Sequence, residues 1–267
     1  MPVDNSRLKG FYKLDVEQRR RMVADLANLN EEHVAALAAN GELDDASADR
    51  MIENVIGTMV LPVGVATNFI IDKKHYVVPF CLEESSVVAA ASNMAKRCHA
   101  KGGFRSNNDA PMMIAQIQLL DVGDHESAIQ QINVNKIQLM ELANSLPSTM
   151  IRLGGGCKNI TTRSLETLSG PMLIVHIHVD CRDARGANAV NTMAELLAPE
   201  LEKMTSGRSL LRILSNLATQ RLARVTATFP PIEMSNTEDA DDGKNIIDGI
   251  LEAHHFAMAD PYRAATH

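Results

Sequence analysis

Two adjacent carboxylates, Glu83 and Glu84, stand directly before the pair Ser85–Ser86 and the small-residue run Ala89-Ala90-Ala91-Ser92. Serine is a good N-cap residue, and Val87 to Lys96 contains no Gly or Pro, so a helix is expected to start here. With little side-chain bulk, that helix lets another element approach its backbone closely. A carboxylate at such a dry helix start loses hydration. Its pKa then rises until it holds a proton near neutrality, as a general acid must. The plainer reading is a solvated Glu-Glu pair favoured by the positive end of the helix dipole, and on these residues alone it is the commoner situation.

A second stretch, Asp183-Ala184-Arg185-Gly186-Ala187-Asn188, follows the strongest strand pattern in the chain, PMLIVHIHVDC from Pro171 to Cys181. A Gly-containing turn that feeds a helix presents unpaired backbone N–H groups, which attract phosphate. Asp183 can accept from ribose hydroxyls, and Asn188 and Asn191 fall on neighbouring turns of the helix. The plainer reading is an Asp-capped helix entrance. The chain has no GxGxxG, so a dinucleotide bound here does not use the Rossmann fingerprint.

Two further groups bear chemistry. His176, His178 and Asp180 alternate onto one strand face, which supports a rival reading as a metal-dependent hydrolase. Hydrogen-bonded imidazoles on a partly covered sheet are the plainer account. No other His, Asp or Glu cluster has ligand spacing, so no metal is expected. Cys157, after three glycines, is the best candidate for a thiol nucleophile and reads as structural.

The elements that must position these residues fall into three parts. Residues Val16 to Gly41 read as two short amphipathic helices, with Asn30 capping the second and Gly41 ending it. A third helix is expected from Asp45 through Val55. Met59 to Phe80 reads as strands about a hairpin turn at Asp72-Lys73-Lys74, and Ser106 to Asp109 as a polar connector. From Pro111 the pattern is strand (Met112–Val122), helix (Ile129–Leu146), strand (Thr161–Leu168), strand (Pro171–Cys181), helix (Ala189–Met204) and a β-rich segment (Leu222–Phe229). That order suits a compact α+β sandwich inserted between helical segments, with borders near Ala110 and Asn216. Glu238 to Gly243 reads as an acidic loop that fails calcium-loop spacing at Ala240. A last helix spans Ile246 to Met258.

Composition narrows the class. The chain has 267 residues, formal net charge -7, aromatics at 3%, no Trp and 14 Met, which implies an aliphatic, Met-filled core. An acidic balance without a basic run argues against general nucleic-acid binding. Four cysteines without CxxC spacing suit a reducing compartment. With no signal-peptide apolar region and no long apolar span, a cytoplasmic protein is expected.

Several blocks together resemble class II 3-hydroxy-3-methylglutaryl-coenzyme A (HMG-CoA) reductases. They are ENVIGTMVLPVGVATNF (Glu53 to Phe69), EESSVVAAASNMAK (Glu83 to Lys96), LGGGC (Leu153 to Cys157), DARGANAVNTMAE (Asp183 to Glu195), RILSNLA (Arg212 to Ala218) and DPYRAATH (Asp260 to His267), in the family's order and spacing. The resemblance implies reduction of HMG-CoA to mevalonate and CoA with two equivalents of NAD(P)H, or the reverse. It also implies an α+β architecture: a larger, mainly helical substrate domain (1–110 and 217–267) and an inserted ferredoxin-like, non-Rossmann nucleotide domain (111–216). Homodimers or larger assemblies, with active sites at subunit interfaces, are implied too.

Carried over by position, Glu84 is the catalytic acid and Asn216 lies beside the reacting carbon. Asp183, Ala184, Arg185, Gly186 and Asn188 fall in the nucleotide motif. Ser86, Arg263 and Thr266 fall where the family holds the HMG group, and Lys13, beside Tyr12, where CoA phosphates lie. Ser85 stands where the family usually has Pro. The chain stops at His267, before the family's catalytic lysine, aspartate and histidine, so the expectation is roughly the first two-thirds of such an enzyme, inactive alone. A truncated, non-catalytic dimerising or nucleotide-binding fragment is the alternative. Pro147 stands where many NAD-using members place an Asp, and Arg152 or Lys158 can meet a 2′-phosphate; the choice of cofactor leans to NAD(H).

Overall fold

The computed structural model of the protein describes residues 2–39, 43–184 and 186–266. The chain divides into two compact units, Met1–Ser106 with Val225–His267, and Asn107–Arg224. Gly41, expected to end the second helix, lies outside the described residues.

The first unit opens with β1 (Pro2–Val3), α1 (Val16–Ala27), α2 (Glu31–Ala38) and α3 (Asp45–Asp49). Then come β2 (Val63–Ile71), β3 (Lys74–Cys81), α4 (Val87–Arg97) and β4 (Phe104–Asn108). Capping boxes start the first two helices: Asp15 accepts from Gln18 N while Gln18 accepts from Asp15 N, and Asn30 and His33 do the same. Asp72 and Lys73 both take positive φ, 48° and 69°, the conformation of a two-residue hairpin turn between β2 and β3. The small residues of α4 let it lie close on β2. Thr67 N donates to Ser92 Oγ at 3.0 Å, Asn68 Nδ2 donates to the Ser92 carbonyl at 2.9 Å, and Ala95 is fully buried.

The second unit runs β5 (Met112–Leu120), α5 (His125–Val134), α6 (Lys136–Asn144), α7 (Thr149–Arg152), β6 (Gly156–Thr167), β7 (Gly170–Asp180), α8 (Ala187–Thr205) and β8 (Arg208–Ser215). Its sheet has the order β6-β7-β5-β8, and every pairing is antiparallel. Two strand–helix–strand crossovers joined by the β6–β7 hairpin make the ferredoxin-like arrangement. One sheet face presents Ala115, Ile117 and Leu119 of β5 and Leu173, Val175, Ile177 and Val179 of β7. They meet Val190, Met193, Leu197 and Leu201 of α8, all wholly buried.

The chain returns to the first unit through β9 (Ala223–Ala227), α9 (Pro231–Met234), α10 (Ala240–Ala259) and α11 (Pro261–Ala264). The larger unit thus carries a sheet of its own, β1-β3-β2-β4-β9, among its helices. Gly243 is buried where α10 crosses α9, and a Cβ there would overlap the Pro231 carbonyl. Among the described residues no helix is long and apolar enough to cross a membrane.

Several expected elements are corrected. The fourth strand of the small sheet is Arg208–Ser215, anchored where Glu202 accepts from Ser209 N at 2.6 Å and Ser209 Oγ at 2.7 Å. The segment near 222–229 instead gives β9, in the other sheet. The third helix stops at Asp49 rather than Val55; Met51, Ile52 and Ile56 beyond it are exposed, and a short helix without packing is marginal. The helix over 129–146 is two helices, parted at Asn135. Ser106 to Asn108 form the end of β4, with Ser106 N bonded to Asp72 Oδ1 at 3.0 Å. The acidic stretch is a helix start, because Asp239 accepts from Asp241 N and caps α10.

Candidate functional site

In the larger unit, β3 ends at Cys81 and Leu82 N bonds the Pro62 carbonyl at 3.2 Å, which leaves Glu83 to Ser86 as a short link into α4. Ser86 occupies the N-cap position with φ 73°, and its side chain makes no capping bond. A left-handed serine costs of order 1 kcal/mol and leaves the first amides of α4 without a side-chain partner. Glu83 and Glu84 are both exposed. The dry, close-packed helix start expected for Glu84 is therefore not formed within the single chain. α4 turns half-buried Ser92 and buried Ala95 to β2 and leaves Ala89 and Ala90 open.

The other substrate-side candidates of this unit are also exposed. Lys13 Nζ lies 5.7 Å from the centre of the Tyr12 ring. Asp260 caps α11 by accepting from Tyr262 N at 2.9 Å. Arg263 Nη1 donates to the Thr266 carbonyl at 2.8 Å, and Thr266 Oγ1 donates to the Tyr262 carbonyl at 3.0 Å. One side of the Arg263 fork remains for a bidentate anion such as a carboxylate. Among the described residues, no hydrogen bond or ion pair joins Glu84, Ser86, Lys13 and Arg263 to one another.

In the smaller unit the chain leaves β7 through Cys181 and a turn to α8. Ala184 N bonds the Cys181 carbonyl at 3.1 Å, and Val190 N bonds the Gly186 carbonyl at 2.9 Å. Gly186 has φ 75°, and a Cβ there would strike the buried Cys181 sulfur, so only glycine fits. No side chain caps α8 among the described residues. Asp183, Ala184 and Asn188 are exposed around this bare helix start; Arg185 lies outside the described residues. Asn191, by contrast, is structural: its Oδ1 accepts from Leu214 N at 2.8 Å and ties α8 to β8. Glu195 and Arg212, 3.2 Å apart, add a second tie.

β7 and β8 flank β5 and both run antiparallel to it, so their C-terminal ends lie at the same end of the sheet. The turn after β7 and the exposed Asn216 after β8 therefore share that end. Arg221 Nη1 reaches the Ala184 carbonyl at 3.2 Å and links the two loops.

The LGGGC turn lies beside the same strand end. A Cβ on Gly155 would sit 2.5 Å from the Asp180 carbonyl oxygen, one on Gly156 would strike Asn144 Oδ1, and one on Gly154 would sit 2.7 Å from Arg182 Nη2. Sequence reasoning did not single out Arg182, because its neighbour Gly154 is distant in the chain.

The rival chemistries find no support. His178 is hydrogen-bonded through Nε2 to Thr161 Oγ1 (2.9 Å) and through Nδ1 to Gln220 Oε1 (2.8 Å), and His176 Nε2 meets Gln116 Nε2 at 3.0 Å. Burial lowers the pKa of His176, with the Arg163 charge adding to it. Among the described residues no group of three or more His, Cys, Asp or Glu could hold a metal ion. Burial pushes the Cys157 thiol up to about 11, the opposite of an activated nucleophile.

Comparison with known proteins gives one consistent result. The chain is 48% identical over 263 residues to the 3-hydroxy-3-methylglutaryl-coenzyme A reductase of Archaeoglobus fulgidus, covering 98% of this chain and 58% of that protein. It is 33% identical over 166 residues to a probable reductase of the same description from Borreliella burgdorferi, covering 62% of this chain and 37% of that protein. A solved Streptococcus pneumoniae 3-hydroxy-3-methylglutaryl-coenzyme A reductase superposes with TM-score 0.90 at 36% identity, covering 97% of this chain and 61% of that one. A class II structure from the same organism, described as bound to NADPH in open conformations, gives 0.89 at 36% identity, covering 97% of this chain and 69% of that one. With the family model for hydroxymethylglutaryl-coenzyme A reductase matching residues 15–267, the chain belongs to that family.

Proposed function

We propose that this chain carries the HMG-CoA-binding and nicotinamide-binding parts of an oxidoreductase. The enzyme interconverts HMG-CoA with mevalonate and free CoA by two successive hydride transfers. The observation that carries the reading is the end of the small sheet, where the uncapped 19-residue helix α8 opens on Gly186 beside exposed Asp183, Asn188 and Asn216. The bare amides suit the pyrophosphate of a nicotinamide dinucleotide, and Asp183 suits ribose hydroxyls. The NADPH described in the pneumococcal relative supports a nicotinamide cofactor.

When bound, the cofactor supplies hydride to the thioester carbonyl carbon. Glu84, holding a proton, donates as the resulting thiohemiacetal collapses to an aldehyde with loss of CoA thiol. Reprotonated from solvent, it gives a second proton to the oxygen as hydride reduces the aldehyde to the alcohol. Arg263 grips the terminal carboxylate of HMG, Ser86 and Thr266 help to hold that group, and Lys13 faces CoA phosphates. Asn216 sits beside the reacting carbon. Glu84 is exposed in the single chain, so a second subunit and bound ligand are what cover it in the working site. A cytoplasmic homodimer with interface active sites is part of the reading.

Titration of NADH and NADPH onto the chain, followed by nicotinamide fluorescence, tests it. Saturable binding is expected, weakened about tenfold in Asp183→Ala by loss of a charge-assisted hydrogen bond. A chain that binds neither dinucleotide overturns the reading.

A further inference from the structure

Arg182 directly precedes the Asp183 turn, has left-handed φ of 52°, and is held from two sides. Its backbone N–H donates to Asp180 Oδ1 at 2.9 Å, and Asp180 is buried at 8% exposure. Its guanidinium lies against Gly154, filling the space where a Cβ would stand. The aspartate steadies the side chain without consuming it, since Nη1 is 3.7 Å from Asp180 Oδ2, beyond hydrogen-bond range, and the side chain is 45% exposed. Among the described residues the guanidinium donates no hydrogen bond. Lys158, near the start of β6, adds a second cation beside the same glycine, its Nζ donating to the Gly154 carbonyl at 2.9 Å.

A guanidinium fixed in place, half in water and with its donors unspent is arranged to receive an oxyanion. Its position next to Asp183, at the start of α8, makes a phosphate the fitting anion. We propose that Arg182, pinned against Gly154 and assisted by Lys158, binds a phosphate of the nicotinamide dinucleotide. The inference rests on the nicotinamide reading above. The phosphate is either the pyrophosphate common to both cofactors or the 2′-phosphate of NADP(H).

NADH and NADPH are titrated separately onto the unaltered chain and onto Arg182→Ala, Arg182→Lys and Gly154→Ala, at two salt concentrations. Arg182→Ala is expected to weaken binding ten- to a hundred-fold, the range of about 1.5–3 kcal/mol for a hydrogen bond to a charged group, and to flatten the salt dependence. Arg182→Lys recovers part of the loss, because a point charge replaces the fork. Gly154→Ala displaces the guanidinium without removing it and weakens binding as well. Loss confined to NADPH upholds the proposal with the 2′-phosphate as ligand; equal loss for both upholds it with the pyrophosphate. Unchanged affinity for both dinucleotides in an Arg182→Ala chain with an unaltered melting temperature overturns it. So does affinity lost in Arg182→Ala with the salt dependence intact, since a structural role alone would do that. Failure of the unaltered chain to bind either dinucleotide removes the nicotinamide reading first and this proposal with it.

Discussion

Leu197 and Ile56 are aliphatic side chains of equal size, and the chain treats them in opposite ways. Leu197, on α8, is wholly enclosed between helix and sheet, whereas Ile56 stands fully in solvent. The contrast extends to the units that hold them. The smaller unit closes a continuous core over one sheet face, drawing on every strand and on α5, α6 and α8. The larger unit buries mainly small side chains, such as Ala24, Ala48, Ala66 and Ala95, while Met51, Ile52, Met59, Val60, Phe256 and Met258 stay exposed. One unit encloses a continuous core of large side chains, though Ile137, Leu168 and Leu217 stay outside it; the other buries mainly small ones and presents more apolar surface, as interaction surfaces do.

The largest expected effect breaks the continuous core. Leu197→Ala should cost about 3 kcal/mol through lost burial and the cavity it leaves. Hydrogen exchange should show protection falling across β5, β7 and α8; unchanged protection there would mean that the core is not cooperative. The next concerns pH. The folded Cys157 thiol titrates near 11, against an ordinary 9.0, because burial disfavours the thiolate. Below about pH 9 both states keep the proton and the contribution is complete. Between about 9 and 11 the unfolded chain releases the proton first, so stability falls as pH rises. Urea titrations at pH 8 and pH 10.5 check this, with Cys157→Ala expected to flatten the difference. The smallest effect is Ile56→Ser, which should change stability by less than about 0.5 kcal/mol. A loss above 1 kcal/mol would show that this segment is packed in solution.

The same contrast decides what could be read in advance. The strand at 171–181 was legible because its apolar residues alternate toward a core supplied by this chain. The third helix ends short of the expected Val55: Met51, Ile52 and Val55 signal a demand for burial without saying what meets it. Arg208–Ser215 escaped notice as an edge strand whose neighbours Leu210 and Leu211 are both exposed, so no alternation survives. Glu84, Asp183 and Asn188 stand out in the sequence as candidates through motif and spacing. The dryness expected around Glu84 is absent from the single chain, because α4 turns its small residues to β2 on one face only. Arg182 was invisible for a different reason: its meaning depends on Gly154, which only the folded β6–β7 pairing brings beside it.

The position of β5 carries a consequence for how the protein is made. It is the first strand of the small unit in sequence, yet it lies between β7 and β8, the last two. On the ribosome, the middle of that sheet must wait with both edges unpaired until residues near 180, and then 215, have emerged. The nascent chain is therefore most prone to mispairing late in synthesis of this unit, and a chaperone that shields Met112–Leu120 would act in that interval.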